Sequence, residues 1–151
     1  MQMINILIAE DDTSLCRLYS IVLEKAGYHT FCANDGQEAW DTLDREHIDL
    51  VITDIMMPVM DGYEFVRLLR RTNPVIPILM ITAKNDFPSK SLGFSVGTDD
   101  YMTKPVDLDE MVLRVRALLR RSHIFAERSI HIGNTTLSYD SLTVETAGET
   151  I

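Results

Sequence analysis

Short apolar runs alternate along the chain with stretches whose apolar residues recur every three or four positions. The runs Ile4–Ala9, His29–Ala33, Asp49–Thr53, Ile76–Ile81 and Asp99–Thr103 read as strands, being brief and bounded by polar or turn-forming residues. Between the first two, Leu15, Leu18, Val22, Leu23 and Ala26 recur at helical spacing until Gly27 supplies a stop. Ala39, Trp40 and Leu43 give a helix over 37–47 its inward face, and Phe65, Val66, Leu68 and Leu69 do the same over 63–71, before Asn73-Pro74. The span 87–96 is the weakest helix, diluted by Pro88, Gly93 and several serines. The span 107–121 is the strongest, with Met111, Val112, Val115, Leu118 and Leu119 inward and arginines outward. This alternation predicts an α/β fold, a doubly wound five-stranded parallel sheet with helices on both faces. Such sheets bind ligands beyond the carboxyl ends of their strands.

Residues 122–151 change character. The span 122–128 reads as a linker, and Ile130–Ile132, Thr135–Ser138 and Leu142–Thr146 as short strands punctuated by Gly133-Asn134 and Asp140-Ser141. Such a small antiparallel segment has little core of its own, so residues 129–151 are expected to open a truncated second domain after a main domain at 1–121. The 151 residues, 46% apolar, suffice for one packed core. No apolar stretch approaches the roughly 20 residues needed to cross a bilayer, and no secretory signal opens the chain, so no membrane partner and a cytoplasmic location are expected. A net charge of −9 argues against this fragment itself gripping nucleic acid. Cys16 and Cys32 lack metal or CxxC spacing and read as reduced packing residues, and the four histidines show no ligand spacing.

The chemistry gathers where the strands end. If the strands are parallel neighbours, Glu10, Asp11, Asp54, Thr82 and Lys104 share one edge of the sheet. Clustered carboxylates repel, and a cation or raised pKa values must resolve the conflict. All-oxygen donors favour a hard ion, Mg²⁺. Asp54, at the mouth of a loop marked by Pro58 and Gly62, is then placed to attack a phosphoryl group and form an acyl phosphate, with Lys104 neutralising the oxygens and Thr82 hydrogen-bonding the product. No Gly-rich nucleotide loop follows the first strand, so the donor is not a tightly held ATP. Plainer readings stand beside these. Asp12 and Thr13 cap the first helix, Asp61-Gly62 is turn chemistry, and Tyr101 is a half-buried strand aromatic; Thr82 and Lys104 would each be unremarkable in isolation, and only their joint placement reverses that.

Four fragments in order carry a family resemblance: Leu7-Ile8-Ala9-Glu10-Asp11-Asp12, the span Asp54–Gly62, Met80-Ile81-Thr82-Ala83, and the span Gly97–Pro105. At these residues the chain resembles the receiver domain of two-component response regulators, with its flavodoxin-like (βα)5 fold. The resemblance implies that Asp54 accepts phosphate from a sensor histidine kinase, and that the protein is a phosphoacceptor rather than an enzyme. It implies that Glu10, Asp11, Asp54 and the backbone carbonyl of Met56 arrange Mg²⁺, and that Lys104 contacts the phosphoryl group. Thr82 would move towards that group, Tyr101 would change rotamer as the switch reporter, and Lys104-Pro105 would be cis.

Tyr101, the Asp99-Asp100 pair and the tail narrow the resemblance to the OmpR/PhoB-like class, in which a winged-helix domain opens with a small sheet and binds promoter DNA. Val106 departs from the usual Phe, and Phe87-Pro88-Ser89 from the usual charged helix start. The resemblance further implies a two-fold homodimer on phosphorylation, through Lys90 with Glu110, Asp100 with Arg114, and Asp99 with Arg121. Two rivals remain: a stand-alone receiver acting by protein contact, which the β-rich tail opposes, and a hydrolase of the haloacid dehalogenase type, which needs an acid where this chain has Met56.

Overall fold

The computed structural model describes residues 3–83 and 97–134, with side chains through Ser122. Contacts divide the chain into two units, Met1–Leu118 and Leu119–Ile151, and the sheet lies in the first. In chain order the described elements are β1 (Asn5–Ala9), α1 (Thr13–Lys25), β2 (His29–Ala33), α2 (Gly36–Arg45), β3 (Leu50–Asp54), α3 (Gly62–Thr72), β4 (Ile78–Thr82), β5 (Asp100–Thr103) and α4 (Leu108–Asn134). The strands pair in parallel in the order β2-β1-β3-β4-β5, the expected flavodoxin-like sheet.

That order fixes the place of the site. The chain steps outward from β1 to β2, returns past β1 to β3, and then runs the other way, so the winding direction reverses between β1 and β3. Loops leaving those two strands diverge, and a crevice opens at their carboxyl ends. Every residue of β3 and β4 is buried, which is why these segments are continuous apolar runs rather than alternating ones. The outer strand β2 is only half covered, and it carries the polar and exposed positions His29 and Cys32. Phe65, Val66 and Leu69 of α3 close the core against Leu7, Val51 and Met80.

Aspartates start the helices. Asp12 caps α1 by accepting from the backbone N–H groups of Ser14 and Leu15, Asp35 caps α2 through Glu38, and Asp61 caps α3 through Glu64. Each accepts donors that the first helical turn leaves unpaired, a contribution of about 1 kcal/mol per cap. Asp61 is therefore a helix cap, more than turn chemistry.

The tail departs from expectation and corrects it. Helix α4 runs on through 122–128 and over Ile130–Ile132, where a linker and a first strand are expected from the pattern. No glycine or proline interrupts the sequence from Leu108 to Ile132, so nothing local ends the helix, and short β-like runs at its end carry no veto of their own. The strands expected at 135–151 and the helix at 87–96, with Lys90, lie outside the described residues.

Candidate functional site

The carboxyl ends of β1 and β3 bring three acids together. Ligand oxygens of Glu10, Asp11 and Asp54 all lie within 4.8 Å of one another, Asp11 exposed and the other two buried. Glu10 follows β1 directly, and its N–H still donates to the Ala33 carbonyl of β2 at 2.9 Å. Its Oε2 accepts from the N–H of Asp12 at 3.1 Å, which ties the acid to the start of α1. Asp54 ends β3; its Oδ1 accepts from the N–H of Met56 at 3.3 Å, and its Oδ2 accepts from Lys104 Nζ at 2.7 Å. Lys104 Nζ also lies 3.2 Å from Glu10 Oε1.

The lysine arrives by the backbone. Its N–H donates to the Thr82 carbonyl at 2.8 Å, extending the β4–β5 ladder beyond β5, and the Lys104-Pro105 peptide that follows is cis, as expected. Thr82, fully buried at the end of β4, has an Oγ1 with no hydrogen-bond partner. An unpaired buried hydroxyl costs about 1–3 kcal/mol, so its retention asks for a ligand. Tyr101 is buried on β5; the register Met80↔Tyr101 and Thr82↔Thr103 puts it on the same sheet face as Thr82.

The loop between β3 and α3 is held tightly. A Cβ on Gly62 would lie 2.3 Å from the Asp54 carbonyl oxygen, so only glycine lets α3 start there. Val59 sits at φ 70°, a left-handed conformation that is costly for a β-branched residue. Met56 is exposed, beside the acid cluster.

Electrostatics follow from burial and crowding. Burial, reinforced by the charge of Asp54, pushes the Glu10 carboxyl up to about 7, against the opposing pull of the Asp12 N–H and of Lys104. Burial also works against the charge of Lys104, but the hydrogen bond and attraction of Asp54, helped by Glu10, prevail and raise its pKa above the ordinary lysine value. With all three carboxylates ionised, one ammonium leaves two negative charges uncompensated, which a divalent cation would balance. Glu10 Oε1, buried and held only by the ion pair with Lys104, is a hard-oxygen donor for such an ion. The residues therefore fit a divalent metal.

Of the charges expected at a dimer face, Asp99, Asp100, Glu110 and Arg114 are already paired within the chain. Arg114 lies between Asp100, at 2.8 Å, and Glu110, at 2.7 Å. Asp99 accepts from Arg70 at 2.7 Å and from the N–H of Ile78 at 2.8 Å, and Arg121 is exposed on α4. Arg70 escapes the sequence reading altogether. It also donates to the carbonyls of Gly97 and Ile76, tying α3 to the segments that enter β4 and β5. No local pattern signals this, because a basic residue in the last turn of an amphipathic helix looks like ordinary surface.

Comparison with known proteins agrees with this geometry. Residues 6–116 match the family described as "Response regulator receiver domain". The chain is 44% identical over 124 residues to the alkaline phosphatase synthesis transcriptional regulatory protein PhoP of Bacillus subtilis, an alignment covering 82% of this chain and 52% of that one. It is 36% identical over 153 residues to the probable transcriptional regulatory protein TcrX of Mycobacterium tuberculosis, covering 99% of this chain and 65% of the relative. The chain thus spans about half to two-thirds of the length of these curated relatives. Among solved structures it resembles the receiver domain of the Francisella response regulator 1452, with a TM-score of 0.74 and 33% identity, covering 78% of this chain and 98% of that one.

Proposed function

The chain belongs to the response regulator receiver domain family, and on that premise we propose that Asp54 accepts a phosphoryl group from a sensor histidine kinase, and that this phosphorylation switches a cytoplasmic transcription factor. The observation that carries the reading is the pairing of a buried, strand-end Asp54 with Lys104 at 2.7 Å inside an acid cluster, next to a strand whose last residue, Thr82, has an unpartnered hydroxyl.

An Asp54 oxygen attacks the phosphorus, the P–N bond of the kinase phosphohistidine breaks, and its electron pair returns to the imidazole nitrogen. Lys104, already on Asp54, then meets the phosphoryl oxygens, and the Thr82 hydroxyl donates to one of them. Glu10, Asp11, Asp54 and the carbonyl of Met56 would hold Mg²⁺, whose part is to neutralise phosphoryl charge. As Thr82 is drawn to its new acceptor, the shared sheet face couples it to Tyr101, which changes rotamer. The protein would catalyse at most its own phosphorylation and dephosphorylation.

The output half of the reading rests on relatives that are named transcriptional regulators, one aligned with 99% of this chain. Receiver 1–121 and a DNA-binding segment C-terminal to it would form one regulator that dimerises on phosphorylation and reaches promoter DNA through that segment. Lys90 with Glu110 and Asp100 with Arg114 remain the proposed pairings across the dimer. For Arg114 this means exchanging an intrachain partner for the same residue of the other copy, while Asp99 with Arg121 would first have to release Arg70.

Acetyl phosphate with Mg²⁺ provides the test. Intact-mass measurement should show one added phosphoryl group, labile to hydroxylamine, dependent on the metal and absent from Asp54→Asn. Equal phosphorylation of that variant would overturn the assignment.

A further inference from the structure

Cys16 and Cys32 stand far apart along the chain but converge in space. Cys16 is buried on α1, whereas Cys32 is exposed on the edge strand β2. Cys32 lies in register with Ile8 of β1, and Cys16 Sγ donates to the carbonyl of that same Ile8 at 3.6 Å. Cys32 Sγ in turn donates to the Cys16 carbonyl at 3.4 Å. The neighbouring thiol is the largest influence on the acidity of each. This favours loss of the first proton from Cys32, whose pKa falls, and pushes Cys16 up, with burial adding to the rise.

From this geometry we propose that Cys16 and Cys32 form a redox-active pair, which hydrogen peroxide converts to an intrachain disulfide fastening α1 to β2. The exposed Cys32 is the residue that meets the oxidant. Its thiolate attacks one peroxide oxygen, the O–O bond breaks, and the departing hydroxide takes up a proton to leave as water, with Cys32 now a sulfenic acid. Cys16 then attacks the Cys32 sulfur, the S–O bond breaks, and the hydroxide leaves with the Cys16 proton as a second water. Two thiols have lost two electrons and two protons, and one peroxide has become two waters. Burial shields Cys16 from solution reagents, so its accessible partner is the sulfur beside it. The hydrogen bond from Cys32 Sγ to the Cys16 carbonyl places the exposed sulfur against the backbone of its partner.

The pair is separate from the acid cluster, and its test does not depend on phosphorylation. The full chain would be treated with stoichiometric hydrogen peroxide, blocked with N-ethylmaleimide, digested, and mapped by mass spectrometry beside a non-reducing gel. The expected result is a linked pair of peptides carrying Cys16 and Cys32, a band that stays monomeric, and reversal by dithiothreitol. In Cys16→Ser, Cys32 should instead be trapped by dimedone as the sulfenic acid, and in Cys32→Ser, an exposed and structurally mild change, Cys16 should stay a thiol. Oxidation of wild type to Cys32-linked dimers, or to Cys32 sulfinic acid with Cys16 still free, would overturn the proposal.

Discussion

Glu10 is the residue in which the tension of the site is most measurable. Folded, its carboxyl holds a proton up to about pH 7, whereas the ordinary value is 4.5. Between those values the folded state binds more protons than the unfolded state, so stability must fall as pH rises across that window and level off above it. The loss is at most on the order of 3 kcal/mol, since a tenfold difference in proton affinity between the two states is worth about 1.4 kcal/mol. Denaturant titrations in EDTA between pH 5 and 8 should show wild type losing stability relative to Glu10→Gln; parallel curves would contradict the strained carboxylate. Thr82 makes the complementary case. Replacing its unpaired hydroxyl by a methyl in Thr82→Val should raise stability by about 1 kcal/mol, because a buried donor without a partner is removed. Phosphorylation should persist, but the shift in the Tyr101 ring signals by NMR should be lost, whereas Lys104→Ala should slow phosphorylation itself. Loss of phosphorylation in both would erase this division of roles. These residues were legible in the sequence because each ends an apolar run. Arg70 and the Cys16–Cys32 pair were not, since their partners are set by which elements the fold brings together.

At the scale of elements, the positions of the strands and of α1 to α3 follow from apolar periodicity, and their starts from the aspartate caps. The tail misled for a physical reason. Ile130-His131-Ile132 looks like a strand in a short window, but with no breaker since Leu108 the preceding helix continues through it. The link from element to site is sharpest at Gly62, where a side chain would collide with the Asp54 carbonyl, a backbone atom that cannot swing aside. Gly62→Ala should therefore cost about 1–3 kcal/mol, as overpacking does, and slow phosphorylation of Asp54. Gly27→Ala is the control: its φ of 104° imposes backbone strain, but nothing lies within 4 Å of the added carbon. It should lose about 1 kcal/mol and leave phosphorylation intact. Thermal melts and initial rates with acetyl phosphate check both, and equal rates in the two variants would break the link between α3 and the acceptor.

For the whole molecule, the surface carrying Asp100, Glu110 and Arg114 is self-complementary in charge, as a two-fold interface requires. Because these exposed pairs already exist within one chain, exchanging them should change affinity by only about 0–1 kcal/mol each and set register instead. Sedimentation of the beryllofluoride-treated protein with Mg²⁺ should show a dimer that Glu110→Lys weakens and an added Lys90→Glu partly restores. A dimer indifferent to both would place the interface on another face. Every larger consequence of the proposed reading, from dimer to promoter, depends on where the phosphoryl group sits, and peptide mapping after borohydride reduction locates it directly. After treatment with acetyl phosphate and Mg²⁺, the reduced, alcohol-bearing side chain should be found at Asp54 alone. Reduction at Glu10 or Asp11, with Asp54 unmodified, would contradict the account.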